Sequence, residues 1–529
     1  MEFDPVLVHD WLSRTAERLP GKTALVCDGR RFSYAEVDRA STTLSRALLR
    51  NGINRGDRVV LFLENSAEAV IGIYGVLKAG GVFVVAEATS TASSLRHILS
   101  DSGARLVITH RDKAAIVKHA LSTSGLDCPI IWAGENDPGA AFPAHGLDWN
   151  TLLEDVGDPV ALPRVIDVDL AALIYTSGST GRPKGIMSTH HNMVSAARSI
   201  IQYIGNDETD VILNVLPLAF DYGLYQVIMC FMFGGAVILE RSMGFLEPMI
   251  RKIESEGVTG FPVVPSISAM LLKLKRMPTE RFSSLRYVTS TGALWPAAHI
   301  RKFREFLPRV KFFSMYGLTE CKRVGFLPPE LIDEYPESVG RAMPNAEAIV
   351  VDERSMPVRP GETGELVVRG SNVMQGYWND PETTERFFRA GRYPADRILH
   401  TGDWFRLGVN GLFYFVGRRD DLIKSFARRV SPREVEEVVA SIPGVAEAAV
   451  VGISDDINGQ VVGLFVVLKR RSRVDDTEIK AYCGKHIEPY KVPRHVWIID
   501  SLPRTPNGKV DKKRLMDKAA VNLEKGGAV

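Results

Sequence analysis

A segment rich in glycine and hydroxyl residues gives the clearest chemical signal in the 529-residue chain. Residues 175–185 read YTSGSTGRPKG, which places three glycines, four Ser/Thr hydroxyls and Lys184 directly after a predicted strand. Glycines let backbone N–H groups converge on an anion, hydroxyls add donors, and a lysine adds a compact positive charge. Lys184 is followed by Gly185 and not by Ser or Thr, so the segment is not the usual P-loop. It predicts a phosphate-binding loop rather than a Ser/Gly linker, because linkers seldom follow a buried strand directly.

Several later segments bring carboxylates, aromatic rings and lysines into short motifs. They are YGLTE at 316–320, TGDW at 401–404, GRRDDLIK at 417–424 and PNGKV at 506–510. Taken singly, each also fits an ordinary structural feature. YGLTE and Asp403 are typical of turns, Phe415 of a core aromatic residue, and Lys509 of an exposed lysine after the Asn507-Gly508 turn.

The elements that must position these motifs follow the rhythm of an α/β protein. Short β-branched runs at 57–62, 105–109 and 171–175 alternate with longer helical patterns such as Ser66–Ala79. We therefore expect mostly parallel sheets flanked by helices, in a body of two or three subdomains, because the chain is too long for one simple core. From about Asn345 the pattern changes to strands and turns, which predicts a β-rich unit that closes the body.

A charged break, RRDD at 418–421, precedes a smaller C-terminal unit. Ser431–Ala440 predicts a helix with a Ser-Pro start, and the segments 446–452 and 461–469 predict strands. These elements indicate a compact α+β domain. The basic run at 469–473 predicts a solvated loop, with a phosphate-contacting patch as the weaker alternative.

Composition excludes several classes of function. The chain has 65 Lys+Arg against 63 Asp+Glu, a net charge of +2. This near balance argues against a protein that wraps nucleic acid or coats an anionic membrane, and it is compatible with small acidic or neutral substrates. Five scattered cysteines without a C-x-x-C pair and an N-terminus without a secretory pattern indicate a reducing, cytoplasmic location. The apolar run Tyr222–Leu239 is broken by Gln226 and by Gly234-Gly235. It therefore predicts a buried helix and then a strand, not a membrane span.

The ordered motifs resemble those of the adenylate-forming superfamily, which includes acyl-CoA synthetases, peptide-synthetase adenylation domains and firefly luciferase. Besides the segments above, the resemblance rests on FSYAEV at 32–37, LKAGG at 77–81, LPLAFDYG at 216–223 and GETGEL at 361–366. It covers nearly the whole chain in the order that the family shows. It implies an N-terminal body at 1–417, whose β-rich part is about 345–417, and a small mobile C-terminal domain at 418–529 with a hinge at Asp420.

The resemblance implies that ATP activates a carboxylic acid as an acyl-adenylate, with release of pyrophosphate, and that the acyl group then passes to a thiol. The implied cofactors are ATP and Mg²⁺, and the implied acceptor is CoA or the phosphopantetheine of a carrier protein acting in trans. The implied catalytic residues are Thr176, Lys184, Glu320, which also holds the metal, and Lys509. The implied nucleotide-binding residues are Thr176, Ser177, Gly178, Ser179, Thr180, Gly181, Lys184, Tyr316, Gly317, Thr319, Glu320, Asp403, Phe415 and Arg418.

The resemblance places a substrate pocket around Asp221 and Arg323. Asp221 matches the aspartate that binds the α-amine in amino-acid-activating relatives, and a cationic amine would compensate a buried carboxylate. Alternatively, Asp221 is structural, capping a turn or pairing with Arg323, which could instead receive a substrate anion. The acid is thus an amino acid, an aminoaryl acid, or a hydroxylated or dicarboxylic acyl acid. The implied pocket residues are Phe220, Asp221, Tyr222, Tyr225, Thr291, Met315, Arg323 and Val324.

One departure from the family pattern keeps a second reaction open. The family has glycine where this chain has Ala427, at a place where the backbone passes close to the pantetheine arm, so a methyl group intrudes there. The alternative is an enzyme whose adenylate reacts with an amine or another non-thiol nucleophile. A non-catalytic nucleotide-binding protein is disfavoured, because Lys184, Glu320, Asp403 and Lys509 are all competent residue types.

Overall fold

The computed structural model describes residues 4–134, 146–154, 160–177, 183–241, 246–274, 278–393, 396–419, 423–425, 428–455, 459–505 and 510–524. The chain divides into two compact units. The first comprises residues 1–348 and 367–400, and the second comprises residues 349–366 and 401–529. The fold is mixed α/β, as the sequence predicts. The boundary at 417/418 and the hinge at Asp420 stay predictions, and Asp420 lies outside the described residues.

The first unit contains a seven-stranded sheet that ends in the predicted phosphate-loop segment. Its strands are parallel up to Leu170–Ser177, and Pro183–Thr189 is the antiparallel edge. Ser66 accepts a hydrogen bond from the Ala69 amide and begins the helix Ala67–Lys78, close to the predicted bounds. The sheet order is Leu147–Asp148, Ile130–Ala133, Leu106–His110, Arg58–Phe62, Val82–Val85, Leu170–Ser177 and Pro183–Thr189. The helices between these strands are Ala67–Lys78, Ala92–Ser102, Ala114–Ser124 and Trp149–Glu154, with a 3-10 turn at Arg111–Lys113.

A nine-stranded sheet forms the second layer of the first unit. Its central strands are parallel and their carboxyl ends lie at one edge, where α/β proteins bind ligands. The sheet order is Arg341–Ala342, Gly325–Phe326, Lys311–Tyr316, Tyr287–Ser290, Gly260–Val263, Val211–Asn214, Ala236–Leu239, Thr23–Cys27 and Arg30–Ser33. The accompanying helices are Val8–Arg18, Tyr34–Arg50, His190–Ile204, Asp221–Phe233, Leu246–Ser255, Pro265–Leu272 and Ala297–Phe306, with 3-10 turns at Thr279–Phe282 and Pro329–Leu331.

The apolar run at 222–239 forms a buried helix and a strand, which confirms the prediction. The helix Asp221–Phe233 ends at Gly234, whose φ of +85° closes it in the left-handed conformation, and Ala236–Leu239 continues as a central strand. Among the described helices, none is both long enough and apolar enough to cross a membrane.

The predicted β-rich region forms a third, five-stranded sheet. Phe388–Ala390 pairs with the first residues of Arg397–Leu407, and Phe413–Arg418 pairs antiparallel with its last residues. Two further strands, Ala346–Val351 and Thr363–Gly370, complete the sheet, and the helix Pro381–Phe387 precedes Phe388.

The second unit also holds a C-terminal sheet with a buried core on each side, an α+β arrangement as predicted. Pro432 begins its first helix, and the predicted strands extend to Val445–Asp455 and Gly459–Leu468. The basic run at 469–473 is a mostly exposed turn. The sheet order is Arg428–Val430, Ile423–Ser425, Gly459–Leu468 and Val445–Asp455, with His495–Ile498 pairing on Gly459–Leu468. The helices are Pro432–Ala440, Asp476–His486 and Lys512–Glu524, with a 3-10 turn at Pro489–Lys491.

Candidate active site

The predicted phosphate loop connects two antiparallel strands. Thr176 on Leu170–Ser177 is directly opposite Lys184 on Pro183–Thr189, so the register of this hairpin fixes both residues at the base of the loop. The loop members Gly178, Ser179, Thr180 and Gly181 lie outside the described residues, and of Ser177 only the backbone is described.

Lys184 is held by a carboxylate and a hydroxyl that the sequence analysis did not single out. Its Nζ lies 2.7 Å from Asp380 Oδ2 and 2.6 Å from Thr383 Oγ1. Asp380 also begins the helix Pro381–Phe387 by accepting a hydrogen bond from the Thr383 amide. Partial burial opposes ionisation of Asp380, but the hydrogen bonds from Lys184 and Thr383 outweigh it and lower the pKa of this carboxyl.

Glu320 ends the YGLTE turn and is oriented by Tyr377. The Tyr377 hydroxyl donates to Glu320 Oε1 at 2.6 Å, and the Met374 amide donates to the Glu320 carbonyl at 2.9 Å. The Lys184 ammonium lies 5.7 Å from the centre of the Tyr377 ring. Tyr377 therefore contacts both the predicted metal ligand, through its hydroxyl, and the predicted phosphate-binding lysine, through its ring.

The turn at 316–320 leaves no room for a side chain at Gly317. A Cβ there would lie 2.4 Å from the Lys322 carbonyl oxygen and 2.9 Å from Arg323 Cα. Any larger residue would push apart the two backbone segments that carry Glu320 and the substrate-pocket cations.

A segment at 372–380 joins the two motifs. Asn372 Nδ2 donates to the carbonyls of Cys321 at 2.8 Å and Arg323 at 2.9 Å, and the Trp378 amide donates to the Gly185 carbonyl at 2.7 Å. The sequence analysis missed this segment. Asp380 followed by Pro381 is a helix-start signal that could have located it.

Asp221 is paired with Lys322 and not with Arg323, so one of the alternatives left open for Asp221, a pair with Arg323, is wrong. Lys322 Nζ donates to the Asp221 carbonyl at 2.8 Å and lies 3.4 Å from Asp221 Oδ2. The physical reason is the turn before Arg323: Lys322 has a φ of 63°, and its side chain reaches the first turn of the helix Asp221–Phe233. Lys322 was not among the predicted site residues. Its position between two of them was the one feature of the sequence that could have indicated it.

Lys322 is one of the most perturbed cations of the described chain. Burial lowers its pKa to about 7, an effect that Arg323 reinforces and that the Asp221 carboxylate opposes. Its ammonium also lies 4.3 Å from the centre of the Tyr225 ring, in a cation–π contact.

Arg323 lies against aromatic side chains and is only 2% exposed. Its Cζ is 5.4 Å from the centre of the Tyr222 ring, and it forms a hydrogen bond with the Tyr203 side chain. The Tyr203 ring stacks on the Phe326 ring with the ring centres 4.0 Å apart, which holds Tyr203 in place. Within the described residues, Arg323 Nε and Nη1 have no hydrogen-bond partner.

The other predicted pocket residues surround this cluster. The Tyr222 hydroxyl lies 2.9 Å from the Thr289 carbonyl, and Phe220 meets the Tyr222 ring edge-on at 6.1 Å. Met315 Sδ accepts a hydrogen bond from Tyr203 at 3.0 Å. Thr291, Met315 and Val324 are buried, and Tyr225 is wholly enclosed.

In the second unit, Asp403 and Arg418 are opposite one another on neighbouring strands. Arg418 Nε lies 3.5 Å from Asp403 Oδ1, and Asp403 is 9% exposed whereas the Arg418 side chain is 57% exposed. Phe415 meets Phe405 edge-on at 5.4 Å. The carboxylate and the guanidinium predicted for the nucleotide are thus neighbours on one sheet.

Three predicted residues of the C-terminal region lie outside the described part of the chain: Lys509, the hinge Asp420 and Ala427. A β-bridge pairs Arg504 with Val510 on either side of the segment that contains Lys509. The roles of these residues stay predictions.

Glu320 is a suitable magnesium ligand by its chemistry. No group of three or more His, Cys, Asp or Glu side chains suited to a metal occurs among the described residues. Magnesium bound with a nucleotide takes one or two carboxylates, with phosphate oxygens and waters completing its shell. A single carboxylate oriented by Tyr377 fits that requirement.

Comparisons with known proteins identify the family. The family model described as AMP-binding enzyme matches residues 12–378, and the model for the AMP-binding enzyme C-terminal domain matches residues 434–509. The chain is 30% identical to 4-coumarate-CoA ligase 1 of Narcissus pseudonarcissus over 99% of this chain and 95% of that protein. It is 26% identical to tyrocidine synthase 1 of Brevibacillus parabrevis over 96% of this chain and 44% of that protein.

A solved structure has the same fold over nearly the whole length. The anthranilate CoA ligase AuaEII in complex with anthranoyl-AMP gives a TM-score of 0.88 at 25% identity, covering 99% of each chain. The chain belongs to the AMP-binding enzyme family, the adenylate-forming superfamily that the motifs indicated. Membership supports ATP-dependent activation of an acid, with CoA or a carrier protein as the acceptor.

Proposed function

We propose that the protein is an AMP-forming acid–CoA ligase. In the first half-reaction, a carboxylate oxygen of the acid attacks the α-phosphorus of ATP, and the bond to the β-phosphate bridging oxygen breaks to release pyrophosphate. In the second, the CoA thiolate attacks the acyl carbon, and AMP leaves with the carboxylate-derived oxygen. The observation that carries the proposal is the Tyr377 contact that joins Glu320 to the neighbourhood of Lys184.

Lys184 and the loop at its side bind the triphosphate in this proposal. Lys184 neutralises the charge that develops on the leaving pyrophosphate, and Thr176, Ser177 and the hydroxyls and amides at 178–181 donate to its oxygens. Glu320 holds Mg²⁺, which when bound supplies positive charge to the phosphate oxygens. The Thr319 hydroxyl donates to the α-phosphate.

The rest of the nucleotide is bound by aromatic and acidic residues. Asp403 accepts hydrogen bonds from both ribose hydroxyls, and Arg418 lies beside that carboxylate on the neighbouring strand. Tyr316 and Phe415 contact the adenine, and Gly317 lets the backbone approach it. Lys509 supplies the positive charge that stabilises the pentacovalent transition state, and the domain that carries it moves about Asp420 between the half-reactions.

The Asp221–Lys322 pair favours acids without an amine. A carboxylate that binds a substrate ammonium must be free of other cations, whereas Asp221 has Lys322 Nζ at 3.4 Å. An amine would have to displace a buried lysine from its partner, which leaves a second cation uncompensated. CoA is favoured as the acceptor because the chain is 30% identical to a 4-coumarate-CoA ligase and 26% identical to tyrocidine synthase 1.

The test is ATP–pyrophosphate exchange, followed by mass analysis of products with and without CoA. The acids are octanoate, octanedioate, 4-coumarate, anthranilate and phenylalanine. We expect exchange with amine-free acids and a CoA thioester as product. Glu320→Gln should lose exchange by roughly 100-fold, whereas the exposed Glu330→Gln should not. An adenylate that forms but is not transferred to CoA would instead support a non-thiol nucleophile, and ADP as product would contradict the proposal altogether.

A further inference from the structure

The substrate pocket contains a positive charge that the protein itself does not balance. Asp221 contributes one negative charge, whereas Lys322 and Arg323 each carry a positive charge when protonated. Asp221 is occupied by Lys322, and among the described residues no carboxylate forms an ion pair with Arg323. With both cations protonated, the cluster therefore carries one excess positive charge in a buried site.

A buried, partly unsatisfied guanidinium is costly, because its N–H groups lose water without gaining acceptors. Arg323 is 2% exposed, and its Nε and Nη1 have no partner within the described chain. Its remaining contacts are the Tyr203 hydrogen bond and the face of Tyr222. Neither of these groups brings a negative charge.

A second observation at the same place indicates a polar ligand. The Tyr225 hydroxyl is buried and has no partner among the described residues, although the Tyr225 ring contacts Lys322. The Tyr222 ring faces Arg323, and the Tyr225 ring faces Lys322. Buried aromatic faces and unpaired donors therefore occur together at this cluster.

We propose that Arg323 binds a second carboxylate, at the far end of the acid from the one that reacts, so that the substrate class is a dicarboxylic acid with an apolar middle. The inference rests on the proposed function, because the same pocket must hold the acid during activation. The distal carboxylate stays unchanged through both half-reactions. It neutralises the excess charge and accepts the hydrogen bonds that the guanidinium offers.

The experiment compares acids that differ only in the distal group: octanoate with octanedioate, and hexanoate with hexanedioate. The measured quantity is kcat/KM for pyrophosphate release at saturating ATP. We expect the wild type to prefer the dicarboxylate by about tenfold or more. Arg323→Met should reverse this preference, and Arg323→Lys should retain part of it. Arg341→Met, at an exposed arginine on an edge strand, should keep the wild-type ratio.

The outcomes separate this inference from the proposed function. If no acid supports exchange in the wild type, the proposed function fails. If exchange occurs but the wild type prefers the monocarboxylates, or if Arg323→Met retains the dicarboxylate preference, the inference alone is overturned. Thermal unfolding in the presence of each acid gives a readout without turnover. Octanedioate should raise the unfolding temperature more than octanoate does, both in the wild type and in Arg323→Lys. Equal protection by the two acids would contradict the inference.

Discussion

Tyr377 is the residue on which the geometry of the nucleotide site depends most directly. It orients Glu320 through a 2.6 Å hydrogen bond, and its ring is beside Lys184. A hydrogen bond to a charged group contributes about 1.5–3 kcal/mol. We therefore expect Tyr377→Phe, which keeps the ring, to lower the exchange rate by about tenfold or more. Steady-state exchange measures this, and a variant with the wild-type rate would show that Glu320 needs no such support.

Asp380 forms an ion pair with Lys184 and, in the proposed function, competes with phosphate oxygens for it. The pair is partly exposed, so its strength is at the modest end for ion pairs, about 1 kcal/mol or less. Asp380→Asn keeps the helix cap but removes the charge, and we expect it to lower the KM for ATP by about threefold. The neighbouring exposed Glu382→Gln should leave this KM unchanged. A raised KM in Asp380→Asn would mean that Asp380 positions Lys184 for ATP.

Residue types and order predicted a set of site residues but could not predict how their side chains pair. Asp221 and Arg323 are both buried, and the partner of Asp221 is Lys322. That choice depends on one backbone dihedral, the positive φ of Lys322, which is disfavoured for a lysine and is imposed by the surrounding turn. No pattern in the sequence reports it.

At the scale of elements, two histidines join the helices Val8–Arg18 and His190–Ile204. The Val8 amide donates to His190 Nδ1 at 3.1 Å, and the His9 and His190 rings meet edge-on at 5.4 Å. Burial, together with the neighbouring His190 and Lys78, lowers the pKa of His9 to about 3. Burial lowers the pKa of His190 to about 4, although Asp169 and Asp167 oppose that shift. Asp10 also faces His9, at 3.5 Å from its Nε2.

These histidines predict acid-sensitive stability of the first unit. Both pKa values are lower in the folded state than the ordinary 6.5, so below that pH the unfolded chain binds protons that the folded chain does not. The contribution of these histidines to the free energy of unfolding is therefore fully present above pH 6.5 and is lost as pH falls toward 4. The loss is about 2 kcal/mol per histidine between pH 6.5 and 4.5. His9→Phe should make this loss smaller by that amount, measured by denaturant unfolding at several pH values. Parallel pH profiles for the variant and the wild type would refute the assignment.

Most elements could be predicted because their patterns are strong and local. The helix Ala67–Lys78 and the helix–strand pair at 221–239 follow from apolar periodicity, a Ser cap and a glycine break. The segment at 372–380 was missed because its function depends on long-range contacts, such as Asn372 to the carbonyl of Cys321, which leave little local signal.

At the scale of the whole molecule, the proposal assigns the two half-reactions to different residues. Lys509→Ala should slow adenylate formation by roughly 1,000-fold, because the charge that it supplies is needed only in that transition state. Thioester formation from a presynthesised acyl-adenylate and CoA should be nearly unaffected. Single-turnover assays of each half-reaction measure this, with the exposed Lys513→Ala as control. Equal losses in both half-reactions would argue against a role specific to adenylation.

The family and the α/β architecture could be predicted for almost the whole chain, because eight or more motifs occur in the order that the family shows. The acid could not, because specificity depends on which buried charges compensate each other. Arg323 and Lys322 are adjacent in the sequence, but among the described residues only Lys322 pairs with a carboxylate.

Isotope transfer tests the central claim, acid activation through an adenylate, most directly. The acid that gives the fastest exchange is labelled with oxygen-18 in its carboxyl groups and incubated with ATP, Mg²⁺ and CoA, and the AMP is analysed by mass spectrometry. Attack of the carboxylate on the α-phosphorus predicts that each AMP carries one labelled oxygen. Unlabelled AMP, or ADP in its place, would contradict the account.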